Sequence, residues 1–335
     1  MAVPATELVP HESATAPIAE GERKAIAGRS PTRIAIDRLR KDKIAVLCFA
    51  IVLFFAFVGV FAGWICDVFG VSTETVRAST VIDLTSGLPK IGPPNHGFTM
   101  DHPFGVAPAS GTDNLAVWLQ GCRTSLYLAS IATLFSTIIG VTLGLVAGFI
   151  GGAVDTIISF LIDLFLTFPF LLAALAIAPI ISERFGTDLD KLKTVSFYSL
   201  VVILVIFGWM GVARLVRGEV LSIREREFVK AARVIGVPTS RILVKEILPN
   251  LLAPIVVSIS LGLPAFVAAE AGLSFLGIGV FGRESWGQTI NGATKYWETY
   301  PLYLFEPVLG IAVLVVALNL LGDAIRDAFD PKTRR

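Results

Sequence analysis

Charge is scarce in this 335-residue chain, in which 16% of residues are Asp, Glu, Lys or Arg. An ordinary soluble domain carries about 25%. That shortage excludes a large water-facing surface and points to a bilayer as solvent. Histidine is scarcer, with His11, His96 and His102 spread apart, and there are three cysteines, Cys48, Cys66 and Cys122. No Cys-x-x-Cys pair or Cys/His cluster occurs, so a zinc or iron–sulfur centre has no ligand set. Cys66 and Cys122 flank one loop and could pair if it faces an oxidising space; lone thiols are the other reading. No GxxxxGK[ST] stretch is present, so the usual phosphate cradle is missing. No catalytic triad, paired acid and base or metal spacing is found either, which leaves an enzyme without machinery.

Apolar sequence is what the chain has in quantity, at 54% hydrophobic residues. The run from Ile44 to Trp64 carries no charge over 21 residues, and a hydrocarbon core needs about 20. A signal peptide would have a shorter apolar region of roughly 7–15 residues and a small-residue cleavage site, so this reads as an uncleaved first span. Five more spans are expected at Ser125–Phe149, Val154–Ile181, Ser196–Val212, Leu251–Leu276 and Leu304–Leu321. The expected organisation is a polar tail (1–43), a first span (44–64), an extracytoplasmic loop (65–122), a five-span core (123–322) and a tail (323–335). Residues 214–249 form a polar loop within the core. The N-terminal part of the first tail reads as disordered, and an amphipathic or basic helix starts near Thr32. The 65–122 loop is rich in Gly, Pro, Ser and Thr, with short β-prone pieces such as STVIDL, and reads as mostly irregular.

A net charge of +1 is uninformative as a sum. Its distribution is not. Lys and Arg crowd the first tail, the segment from Arg214 to Lys245, and the tail after Arg326. The intervening loops carry few. With six spans these basic segments share one side, so the positive-inside rule puts both termini and the 214–249 loop in the cytoplasm.

That loop holds EREFVKAARVIGVPTSRILVKEILPN, from Glu225 to Asn250. Phe228, Ala231, Ala232 and Ile235 fall at helical spacing on one apolar face. Gly236 suits the left-handed residue that ends a helix, and Pro238 suits the opening of a second one. The second helix would run to Ile247, and Pro249 would mark the entry to the fifth span. The apolar face either packs on the chain's own bundle or meets a partner.

The stretch resembles the EAA loop of ATP-binding-cassette importer permeases: Glu-Ala-Ala, three residues, Gly, nine residues, then Ile-x-Leu-Pro. Ala231, Ala232, Gly236, Leu248 and Pro249 match in register. Lys230 stands at the usual Glu and Glu246 at the usual Ile, so an ion pair made by the family's Glu is not carried over. HPFG at 102–105 is similar to the HPFGTD stretch of the dipeptide/oligopeptide branch, with Asp113 as its displaced Asp after the insertion VAPASG. EAGLSFLGIGVFGRESWGQTINGA (270–293) and NLLGDAIRDAFDPK (319–332) resemble two further stretches of that branch.

The resemblance implies an all-α membrane protein with six spans and the type I importer permease fold. It implies that Phe228, Lys230, Ala231, Ala232, Gly236, Leu248 and Pro249 couple the chain to a separate ATPase. The implied partners are a homologous second permease, two ATPases, an extracytoplasmic binding protein, a peptide substrate and membrane lipid, with no nucleic acid. ATP and Mg would sit on the ATPases and no cofactor on this chain. The bacterial inner membrane is the implied location. Nickel chelates and glutathione are alternative cargoes within the branch. An ion-coupled secondary transporter would usually show internal repeats, and none is seen.

Charged residues inside spans mark a pathway by default. Asp163 in the third span and Glu270 in the fifth are therefore candidates for its lining; hydrogen bonding between helices is the plainer alternative. Pro169, Pro179, Pro254, Gly262 and Pro264 would kink or break their helices. Gly140, Gly144 and Gly148 form a small-residue ridge for close helix packing. Trp64, Trp118, Trp209, Trp286 and Trp297 lie near span ends, as in an interfacial belt.

Overall fold

In the computed structural model, residues 31–74, 78–92, 97, 99–185 and 188–329 are described. The expectation of disorder in the first part of the N-terminal tail falls outside them. Among the described residues the regular elements are helices, in the order α1 (Pro31–Lys41), α2 (Lys43–Phe69), α3 (Ala78–Val81), α4 (Asn114–Ile150), α5 (Gly152–Thr167), α6 (Phe170–Phe185), α7 (Leu189–Ile206), α8 (Trp209–Ile223), α9 (Glu227–Val234), α10 (Thr239–Ile242), α11 (Leu252–Phe275), α12 (Trp286–Ala293) and α13 (Pro301–Phe329). Five helical segments are long and apolar enough to cross a membrane, and the bent pair α5–α6 makes up to six.

The expected basic helix near Thr32 is α1. The first two spans outrun their hydrophobic runs because capping, not hydropathy, sets where those helices start. Asp42 caps α2, its Oδ1 accepting from Ile44 N at 2.8 Å and Ala45 N at 3.2 Å. α2 continues past Trp64 to Gly70, whose φ of +67° closes it. Asp113 caps α4, so that helix begins eleven residues before Ser125. The loop between spans is thereby shortened to 70–113. The β-prone STVIDL stretch there becomes the single turn α3 and one isolated bridge, Ile82 to Pro89.

Pro169 breaks the third span. Phe168, ahead of it, is extended at φ −74° and ψ 127°, as the proline ring demands of its predecessor. The two halves meet at 83°. Pro264 causes no break, and α11 runs through it from Leu252 to Phe275.

α4 is the central element, packed on α2, α8 and α11, while α13 lies against α11 and α2. The glycine ridge explains the closest of these contacts. A Cβ on Gly140, Gly144 or Gly148 would fall 2.7–2.8 Å from the Cβ of Val212, Val216 or Val220 on α8. Backbones approach this closely only where side chains are absent.

Three tryptophans depart from the belt. Trp286 is fully buried, Trp209 is buried and Trp118 is partly so; Trp64 and Trp297 are exposed. Trp286 Nε1 donates to the Trp118 carbonyl at 3.0 Å, and the two rings sit 5.4 Å apart. A buried indole needs such a partner. All three cysteines are buried free thiols.

Candidate functional site

The elbow between α8 and α11 is built from the end of α9 upward. Gly236 has a φ of +79°. Its N–H donates to the Arg233 carbonyl at 3.1 Å, and the Val237 N–H donates to the Ala232 carbonyl at 3.0 Å. This pair of bonds is the Schellman closure, which needs a left-handed residue at the glycine position. A Cβ on Gly236 would meet nothing within 4 Å, so the demand for glycine is conformational, not steric. Pro238 then opens α10.

The apolar residues of α9 divide between two faces. Val229 is 0% exposed and Ala232 9%, whereas Val234 is 86% and Ile235 78% exposed. The inner face packs with Phe149, Val220, Ile242, Ile247 and Leu251. Phe228 and Ala231 point outward with Val234 and Ile235. The single face expected from spacing is thus corrected: Ala232 belongs to the bundle side, with Val229. Both uses of the surface coexist, because an eight-residue helix presents a full circumference.

Two arginines tie the elbow to the end of α4. Arg224 Nη1 donates to the Gly148 carbonyl at 2.8 Å, and the Arg233 guanidinium lies 4.4 Å from the Phe149 ring centroid. Lys230, at the position where the resemblance has Glu, pairs with Glu225 at 3.2 Å. The Lys230 hydrogen bond, then its charge, holds the Glu225 carboxyl below its ordinary value.

The second helix does not stop at Ile247. A π-helical turn (Leu243–Ile247) and a 3-10 turn (Leu248–Leu251) carry the chain without interruption into α11. Pro249 has no N–H to continue the ladder, so the neighbouring bonds shift register. Leu248 is half-buried and Pro249 exposed at this junction. Ile242, Ile247 and Leu251, missed from sequence, anchor it; their spacing of five and four residues was the available signal.

The two charged residues inside spans are placed differently. Asp163 is exposed and pairs with Arg214 of α8. Beside it Arg217 Nη2 donates to Asp155 Oδ2 at 2.8 Å, a second bond from α8 to α5. Glu270 is fully buried. Its Oε1 accepts from Ser274 Oγ at 2.7 Å, and Ser125 and Ser285 stand beside it. Its carboxylate thus lies where α4, α11 and the start of α12 meet. Neither residue lines the large cavity of about 940 Å³ between α2, α4, α11, α13 and the loop at 282–284. No cluster of three metal-ligating side chains occurs among the described residues.

Residues 140–335 match the family model "Binding-protein-dependent transport system inner membrane component", and residues 30–70 match "N-terminal TM domain of oligopeptide transport permease C". The chain is 33% identical to the dipeptide transport system permease protein DppC of Bacillus subtilis over 308 residues, 91% of this chain and 87% of the relative. It is 29% identical to the oligopeptide transport system permease protein OppC of Bacillus subtilis, covering 97% of each. The OppC protein of Escherichia coli is 31% identical, over 93% of this chain and 95% of the relative. Among solved structures, an inward-facing MetNI methionine ABC transporter chain superposes with a TM-score of 0.52 at 20% identity, over 64% of this chain and 96% of that one. At that identity the likeness concerns the fold alone.

Proposed function

Because this chain belongs to the family of binding-protein-dependent transport system inner membrane components, as a DppC/OppC-like permease, we propose that it forms half of the translocation path of an ATP-driven importer of di- and oligopeptides. One observation carries the reading. The elbow offers an exposed apolar surface, Phe228, Val234 and Ile235, on a hairpin that is itself locked to the bundle. Such a surface costs free energy in water unless a partner covers it.

The partner in this reading is an ATPase, one of two, with a second permease and an external binding protein completing the importer. ATP and Mg belong to the ATPases. The elbow then lies in the cytoplasm of a bacterial cell, which the distribution of Lys and Arg supports.

The coupling is mechanical. Arg224 and Arg233 join α9 to α4, and α10 is continuous with α11. A displacement of the elbow therefore moves both helices as rigid bodies, and ATP supplies the bias between two packed states.

The reading is tested in vesicles holding the importer with and without this chain. ATP-dependent accumulation of a labelled tripeptide is expected only when the chain is present. Accumulation driven by an ion gradient without the ATPases would overturn it.

A further inference from the structure

The large cavity lies at the end of the bundle away from the elbow. It is lined by α2, α4, α11, α13 and the 282–284 loop. Arg123 of α4, Arg283 and Glu284 all line it, together with Gln120 and Tyr127. Arg123 stands nine residues into α4, about 14 Å from that helix's start at 1.5 Å per residue.

Neither arginine forms an ion pair among the described residues. Both side chains are exposed, and an unpaired guanidinium lining a cavity is a ready site for an anion. Arg283 is nonetheless held in position. Its guanidinium lies 4.7 Å from the Phe197 ring centroid, and Phe197 stacks on Tyr127 at 5.7 Å. Stacking of this kind uses the flat face of the guanidinium and leaves its N–H edge open to an oxyanion. Glu284 adds a carboxyl to the same wall, half-buried and without a cationic partner. Burial pushes that carboxyl above its ordinary value, a cost that an arriving cation would reverse.

Two donors for an anion and one acceptor for a cation thus share one cavity, beside apolar residues of α2, α11 and α13. We propose that this cavity docks a peptide by its free ends, Arg123 and Arg283 taking the C-terminal carboxylate and Glu284 the N-terminal ammonium. The inference rests on the peptide reading of the cargo and assigns that cargo a site. A lipid headgroup offers similar charges, but the Glu284 carboxyl beside the two arginines favours a small zwitterion.

The test uses the complete importer in liposomes, with its binding protein saturated by each cargo in turn. Uptake is measured for a free tripeptide, its C-terminal amide and its N-acetyl form. Arg123→Gln and Arg283→Gln should each lower uptake of the free peptide about tenfold, as loss of a charged hydrogen bond does, and leave the amide unchanged. Arg123→Lys should restore part of the loss. Glu284→Gln should erase the preference over the N-acetyl form. A wild-type ratio of free to amidated uptake in both arginine variants would overturn the site while leaving peptide transport standing. Equal loss on all three cargoes would overturn it as well. So would rescue of the variants by added phosphatidylglycerol, which would mark a lipid site. Wild-type importer that moves no peptide at all removes the cargo reading and the site with it.

Discussion

His102 Nδ1 and Asp113 Oδ2 lie 2.7 Å apart, eleven residues away from each other in the chain. The excursion between them returns on itself: Ala107 N–H donates to the Thr112 carbonyl at 2.8 Å, and Val106 bridges to Asp113. The same aspartate caps α4, its Oδ1 accepting from Leu115 N at 2.9 Å and Ala116 N at 3.1 Å. One buried carboxylate therefore fixes both the loop and the start of the central helix.

Asp113→Ala should cost about 1 kcal/mol from the cap alone. His102→Ala combined with it should reveal a coupling of about 0.5–3 kcal/mol, the range for residues in contact. Thermal unfolding of the detergent-solubilised protein, followed through the two single variants and the double variant, measures both. Strict additivity would show that the contact contributes no stability.

Gly144→Ala places a Cβ 2.7 Å from the Ala213 carbonyl oxygen and 2.8 Å from Val216 Cβ. Forcing α4 from α8 should destabilise the protein by about 1–3 kcal/mol, as overpacking does. Gly211→Ala on α8 is the control, since an added Cβ there meets nothing within 4 Å. It should stabilise by roughly 0.5–1 kcal/mol through the ordinary helix preference for alanine. Melting temperatures moving in opposite directions are the expected result.

The two ion pairs between α5 and α8 should differ in worth. The Arg214 and Asp163 side chains are 58% and 66% exposed, those of Arg217 and Asp155 31% and 20%. Arg214→Gln should cost less, about 1 kcal/mol, because that pair is made through one nitrogen and leaves both side chains largely uncovered by protein. Arg217→Gln should cost about 1.5–3 kcal/mol, because it removes hydrogen bonds to a half-buried carboxylate. Chemical unfolding of the two variants in the same detergent reads the difference directly.

Gly236→Val should disable the elbow without touching its neighbours. A β-branched residue at positive φ costs roughly 1–2 kcal/mol, and there is no clash to add. ATP-driven uptake should fall while membrane insertion stays normal. Gly236→Asn should retain more uptake, since asparagine tolerates the left-handed region. Phe228→Ser and Ile235→Ser alter exposed side chains, so stability should hold and ATPase coupling should drop. Equal uptake in the valine and asparagine variants would show that the backbone turn is not what matters.

Much of this protein was determined by sequence order alone. The spans followed from runs of apolar residues, because a bilayer must be crossed by a fixed length of uncharged helix. The Gly236 turn followed because left-handed backbone has few takers, and the glycine ridge because its spacing matches the helix repeat. Tertiary structure decided the rest, since each remaining point depends on what stands opposite a side chain. Spacing put Ala232 beside Phe228, but only the neighbouring helices send Ala232 inward and leave Phe228 outside. Hydropathy put Trp286 at a span end, and only the Trp118 carbonyl makes its burial tolerable. Asp163 and Glu270 read alike as charges within spans. One meets Arg214 away from the packed core and the other is enclosed by serines, a difference that no local pattern carries in full, because Arg214 lies 51 residues from Asp163 and two of the three serines around Glu270 come from α4 and the start of α12.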